Sequence, residues 1–406
     1  MEPHKKIVLI SSGQPSLNPR LVKEADTLAG AGYEVTVLYA YWNAWGTGYD
    51  IKLLASKKWK AIRLAGDPLQ KRITWFSSRL IFKTARYLLH KTGNYKYFAE
   101  FGIARSSYFL IKGAKKYKAD LYIAHNAGAL PAAAKAAGLY KKPFGFDAED
   151  FHRQEVNDNT SSFHYQLTAY IEDKYLPLAA YVTASSPLIA EQYEALYKKS
   201  AVTLLNVFPK TPVFKIGFNE KKPLKLFWFS QTIGPNRGLE MIIEAISIAK
   251  PGVELHLLGQ PADGYKQHLL SLIADAAIEK YRVYFYQPVK PEEIFHIAPQ
   301  FDVGLASETG FCLNNNIALS NKIFTYIQSG LAVAASNTPA QSALMNQYSN
   351  TGKIYKSATE LANILNAYNA GREMLYQTKK DSYQTGQTEL NWETESEKFL
   401  KLVENV

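Results

Sequence analysis

Three groups of polar residues carry the chemistry this chain could perform. The first lies in residues 307–336, SETGFCLNNNIALSNKIFTYIQSGLAVAAS. It holds one acid, Glu308, an amide run ending at Asn316, and then Asn321 and Lys322 at the head of an amphipathic segment. A loop that drops into a helix and then a strand presents unpaired backbone N–H groups, a setting for a phosphate or a sugar hydroxyl. The second group is FDAEDFHRQE, which places Asp147, Glu149 and Asp150 within four residues, followed by His152 and Arg153. Acids this close repel unless they are solvated or paired with a cation such as Arg153, and such a cluster can do general acid and base work. The third is His125 with Asn126, which closes the apolar run LYIA.

Those groups need elements that deliver them to one rim. Residues 5–12, KKIVLISS, form a continuous apolar run ending at Gly13, the pattern of a strand buried on both faces. A helical pattern over 20–31 and the strand EVTVLYA complete a βαβ unit. The full GxGxxG fingerprint of dinucleotide binding is missing. Helices are expected over 73–89 and 97–116. Strands then end at His125 and in the FDAED cluster, and a last strand is expected over 202–206. Polar groups at successive strand ends of a parallel sheet share one rim. Residues 207–223 contain two prolines before Pro223 and no apolar period, which marks a linker. A second strand–helix alternation follows from 224, so each half should be a parallel sheet, and the cleft between two such domains is a natural ligand site.

Composition narrows the function classes. A chain of 406 residues exceeds one typical core. The single cysteine, Cys312, excludes an internal disulfide and a thiolate metal cluster, and no two of the eight histidines lie three or four residues apart. The opening apolar run is too short for a signal-peptide core and nothing approaches a membrane span, so a cytoplasmic protein is expected. Residues 52–118 hold seventeen Lys and Arg against Asp67 and Glu100. Their interleaving with Trp59, Trp75, Phe76, Tyr87 and Phe98 suits an anionic membrane surface better than nucleic acid, for which no reading module is present.

The ordered pieces resemble a GT-B-fold glycosyltransferase of the large retaining family 4 type. SNKIFTYIQSGLAVAAS is similar to the family pattern PNK-L-F-E-Y-x-A-x-G-x-P-V-x-A-S. FSQTIGPNRGLEMIIEAI is similar to its phosphate-contacting turn and helix, FDAEDF to its YDAHE, and NWETESEKFL to its last helix. The resemblance implies an α/β protein with two Rossmann-like parallel-sheet domains facing a cleft. It divides the chain into an acceptor-side domain 1–206, linker 207–223, a nucleotide-sugar domain 224–388, and a helix within 389–406 returning to the first domain.

It also implies roles. Arg237, before Gly238 at a helix start, would share the donor diphosphate with the helix N-terminus. A second cation usual in that turn is replaced by Gln231, and Lys322 would substitute for it. Gly13, Gly259, Asn316, Asn321 and Thr325 complete the donor set. His125, Asp147, Glu149 and Asp150 would face the reacting sugar from the first domain, and Glu308 from the second. The family's ribose-binding glutamate falls on Thr325, whose hydroxyl offers one weaker bond where a carboxylate accepts two. The expected activity is sugar transfer from a nucleotide-diphosphate donor to a glycan or lipid-linked acceptor, with retention and without metal or further cofactor, at the inner membrane face. An epimerase or hydrolase of the same fold, or a non-catalytic nucleotide-sugar-binding relative, are the alternatives.

Overall fold

The computed structural model describes residues 5–212, 216–218, 223–249, 252–278 and 282–406. The chain forms two compact units, 1–205 with 396–406, and 206–395. Part of the expected linker, 213–215 and 219–222, lies outside the described residues.

The first unit is built on seven strands: β1 (Lys6–Ser11), β2 (Glu34–Ala40), β3 (Lys60–Leu64), β4 (Leu121–His125), β5 (Phe144–Ala148), β6 (Tyr181–Ala184) and β7 (Ala201–Thr203). Their order is β3-β2-β1-β4-β5-β6-β7, with every described pairing parallel. The order reverses direction between β1 and β4, so the crevice at their carboxyl ends is the place where such sheets bind ligands. Ile7, Leu9, Val37 and Ile123 are core residues here, as are Phe399 and Val403 of the final helix, Trp392–Glu404. Residues at the end of the chain therefore complete the first core.

The second unit has six strands: β8 (Leu224–Ile233), β9 (Val253–Pro261), β10 (Val283–Tyr286), β11 (Val303–Ala306), β12 (Ala332–Ser336) and β13 (Gly352–Tyr355). Their order is β10-β9-β8-β11-β12-β13, again parallel throughout the described pairings, with the switch between β8 and β11. The register of β8 on β9 slips between Phe229 and Thr232, which bulges β8 at Ser230 and Gln231.

Three elements depart from the sequence reading. The single helix expected over 97–116 is two, Tyr95–Gly102 and Ser107–Ala114; Gly102 lets the chain close on Leu89, where a Cβ would come within 2.9 Å of a Leu89 methyl. The last strand of the first unit stops at Thr203, because the carbonyl of Leu204 turns in to accept from Arg20. The segment beginning at Lys322, amphipathic in sequence, is the helix Asn321–Gln328, buried continuously from Lys322 to Gln328. Its polar side chains are met by other parts of the unit: Gln328 Nε2 donates to the carbonyls of Gly386 and Leu390, and Tyr326 to that of Leu305.

Candidate active site

In the second unit Glu308 follows the carboxyl end of β11 and is held beside the carboxyl end of β12. Its backbone N–H donates to Ser336 Oγ at 2.8 Å, and that hydroxyl is itself held by Gln341 Nε2 at 2.9 Å. The side chain receives Lys322 Nζ on Oε1 at 2.7 Å and Asn315 Nδ2 on Oε2 at 3.1 Å. Burial alone would raise the Glu308 carboxyl, but the Lys322 ammonium and the Asn315 amide hold it below the usual carboxylate range. Lys322 also lies 5.7 Å from the centre of the Trp228 ring. Trp228 in turn donates Nε1 to Ser307 Oγ at 3.0 Å, and Ser307 Oγ reaches the carbonyl of Arg237 at 2.7 Å.

That last contact ties the turn before the helix Leu239–Ile248 to the end of β11. Asn236 and Gly238 both have positive φ, and Thr309 donates to the Asn236 carbonyl. A Cβ on Gly238 would come to 3.0 Å from that of Ser307, so the turn requires glycine for both its backbone and its packing. Gly238 caps the helix without a side-chain hydrogen bond. The guanidinium of Arg237 makes no hydrogen bond or ion pair among the described residues. An unpaired cation beside an open helix N-terminus is a site for an anion.

Other members of the expected donor set have different surroundings. Gln231 is exposed in the β8 bulge. Gly259 faces the same bulge: its φ is 152°, and a Cβ would stand 2.3 Å from the Ser230 carbonyl oxygen. Asn316 braces its own loop, donating to the carbonyls of Gly310 and Cys312, while Asn315 accepts from the Gly310 N–H. Asn321 is exposed at the helix start. Two members of the set have partners inside the second unit. Lys322 is ion-paired with Glu308. Thr325 is buried and its hydroxyl donates back to the Asn321 carbonyl at 3.0 Å, so as placed it does not stand in for a ribose-binding carboxylate.

In the first unit the crevice between β1 and β4 is lined by Ser12, Gly13 and Asn126. Ser12 Oγ donates to Asn126 Oδ1 at 2.7 Å, and Gly13 has room for a Cβ, its nearest neighbour being Ser11 Oγ at 3.8 Å. Below this rim lies a wholly buried charge cluster. Arg20 places two guanidinium nitrogens on the two Asp147 oxygens, each at 2.7 Å, and a third contact on Glu24 at 3.4 Å. His125 lies between Glu24 at 3.2 Å and Asp147 at 3.3 Å, and Thr183 Oγ1 donates to Asp147 at 2.6 Å.

Burial opposes charge on His125, yet Glu24, Asp147 and Glu149 together raise it well above the ordinary imidazole range. Asp147, which burial alone would raise, is held far below the carboxylate range by Arg20 and His125. Glu24, buried beside Asp147, is raised. Half-buried Lys23 on the same helix is lowered to about 7, by burial first and Arg20 second. Glu24, His125 and Asp147 form the one convergent His and carboxylate group among the described residues, and the cation they enclose is the Arg20 guanidinium.

His125 and Asp147, expected to face the reacting sugar, have no exposed side-chain surface and lie within this buried cluster. Glu149 is the cluster's partly exposed member: Asn18 Nδ2 donates to it at 2.5 Å and His125 Nδ1 stands 3.7 Å away. Asp150 is half-buried behind it. The expected partner Arg153 turns elsewhere, to Glu172 and Asp173 at 2.7 Å each. Arg20 and Glu24 escaped the sequence reading; the available signal was an Arg and a Glu four residues apart beside the apolar face of a helix, where lone charges are costly.

No family model and no curated protein sequence matches the chain. Solved structures do. HepE of Anabaena in complex with UDP-glucose superposes with a TM-score of 0.70 at 15% identity, covering 99% of this chain and 100% of that one. A Rickettsia africae glycosyltransferase gives 0.66 at 14%, covering all of both chains. The chain has the GT-B fold. TarM of S. aureus, as a mutant in complex with fondaparinux, α-GlcNAc-glycerol and UDP, shares this GT-B architecture with a TM-score of 0.67 at 11% identity, over 98% of this chain and 99% of that one.

Proposed function

We propose that the protein is a glycosyltransferase moving a sugar from a nucleotide-diphosphate donor to a lipid-linked or cell-surface polysaccharide acceptor. The observation that carries this reading is the unpaired Arg237 guanidinium at an open helix N-terminus, beside the braced Glu308 at the switch between β8 and β11. A diphosphate leaving group gathers negative charge as its bond to the sugar breaks, and fixed cations and N–H groups aimed at that charge are the largest contribution to such transfers. HepE carries UDP or UDP-glucose, and TarM carries UDP and a GlcNAc-glycerol, which supports a nucleotide-sugar donor and a glycan acceptor.

In this reading Arg237 and the helix N-terminus hold the diphosphate, and Glu308 approaches the donor sugar. Transfer retains the anomeric configuration and uses no metal, as the family resemblance implies. The protein works at the inner face of the membrane, with residues 52–118 toward anionic lipid. Titrating nucleoside diphosphates by calorimetry, then incubating sugar nucleotides with and without acceptor, tests the proposal. Sugar transfer that needs acceptor is the expected result. Free or epimerised sugar formed without acceptor would assign hydrolysis or epimerisation instead, and binding without any turnover would leave a nucleotide-sugar-binding protein.

A further inference from the structure

The helix Arg72–Thr92 has two unlike sides. Ser78, Ala85 and Leu89 are buried against the first unit. Ile73, Phe76, Leu80 and Tyr87 are 84%, 62%, 68% and 61% exposed. Steps of three, four and seven residues keep these four on one stripe of an α-helix. Single exposed apolar side chains are ordinary, but four aligned on one face mark a surface that something covers.

Charge says what covers it. At about 100° per residue, Arg72, Arg79, Lys83 and Arg86 fall along one flank of the stripe and Lys91 continues its line. No acid occurs between Asp67 and Glu100. Arg79 and Arg86 hold their guanidinium groups over the Trp75 and Phe163 rings, 4.3 and 4.7 Å from the ring centres, so both cations are fixed along this flank. A second copy of the same helix would set these cations against themselves. A protein partner would have to supply every acid. An anionic bilayer supplies both an apolar layer and a sheet of phosphates.

Elsewhere in the basic segment Lys57 pairs with Asp26 at 2.6 Å and Arg63 with Asp67 at 2.9 Å. Trp59 is buried, with Nε1 donating to Asp26 at 2.7 Å. Glu100 takes Lys174 at 2.7 Å together with Lys135 and Tyr175. No described helix is long and apolar enough to cross a membrane.

We propose that the helix Arg72–Thr92 lies in the plane of an anionic membrane interface, with Ile73, Phe76, Leu80 and Tyr87 entering the acyl boundary and the flanking cations among the headgroup phosphates. This deepens the membrane reading of residues 52–118, and it stands or falls separately from sugar transfer.

The test is sedimentation of the full chain with phosphatidylglycerol-containing vesicles and with pure phosphatidylcholine vesicles, at low and high salt. Native protein is expected to bind the anionic vesicles and to be released as salt rises. The exposed pairs Phe76→Ser with Leu80→Ser, and Lys83→Glu with Lys91→Glu, should each weaken binding at least about tenfold. Both should keep the native melting temperature and nucleoside-diphosphate affinity. Equal binding to neutral vesicles, or full binding by Phe76→Ser with Leu80→Ser, overturns the assignment. So does a native dimer that this double variant dissolves, because the stripe then covers a second copy. Vesicle binding by a protein that turns over no sugar nucleotide supports the membrane face and removes only the transfer reading.

Discussion

The Lys322 ammonium stands 2.7 Å from Glu308 Oε1, with both side chains almost withdrawn from water. The Glu308 carboxyl is held below its ordinary value, so its stabilising contribution is complete above the unfolded value of about 4.3 and is lost as pH falls through the lower folded one. Lys322→Met removes the counter-charge and leaves the carboxylate mostly buried. The expected loss is about 3 kcal/mol at neutral pH, the low end for a broken buried pair because both tips touch solvent. The variant should regain stability toward pH 4, as the unpaired carboxyl takes up a proton. Urea unfolding at several pH values measures both effects, and a variant as stable as the native chain at pH 7 would sink the pairing.

Arg237 has the opposite signature, because its guanidinium supports nothing in the described fold. Arg237→Ala should leave the melting temperature unchanged and weaken nucleoside-diphosphate binding by about tenfold or more, the scale of a lost charge-assisted contact. Calorimetry reads this directly. Unchanged affinity would move the diphosphate away from this helix.

Thr325→Val keeps the shape of the side chain and removes only the hydroxyl, which now serves the Asn321 carbonyl. Nucleotide affinity is expected to stay within about twofold, since a bond to the helix's own backbone is not available to ribose. A loss of tenfold or more in the same titration would restore Thr325 to the donor site.

The buried cluster should write itself into the pH dependence of the first unit. His125 is raised, so its contribution is complete below about 6.5, the unfolded value, and is lost as pH rises through the folded one. Raised Glu24 adds a penalty of the same direction once pH exceeds about 4.3. Lys23, lowered to about 7, acts with the opposite sign between its folded and unfolded values, so the native curve alone mixes these effects. The difference between native chain and His125→Gln carries the histidine together with its hold on Asp147 and Glu24: it should be largest near pH 6 and shrink toward pH 9. A difference that does not change with pH would falsify the charged state assigned to His125.

The alternation of apolar runs with helical segments was legible in the sequence, because strands buried on both faces must be apolar throughout and their connections must be helical. The rims were legible for the same reason, since His125, Asp147 and Glu308 each follow such a run. Partners were not. Arg20 meets Asp147 across 127 residues, displacing Arg153 from the role its nearness in sequence suggested. Ser307 and Trp228 are joined over 79 residues, which is how the Arg237 turn comes to be held against Glu308.

The same distinction explains Lys322 and Thr325. The spacing placed both at the start of a helix near an acid, and that much is local. Whether Lys322 is free or paired, and whether Thr325 is open or buried, depends on what packs against the helix from β11 and from Arg372–Thr388, segments whose contact is decided by sheet order and core packing. Local sequence determined most of the elements; the tertiary structure decided where some of them end and which charges neutralise one another, because burial makes an unpaired charge too costly to keep.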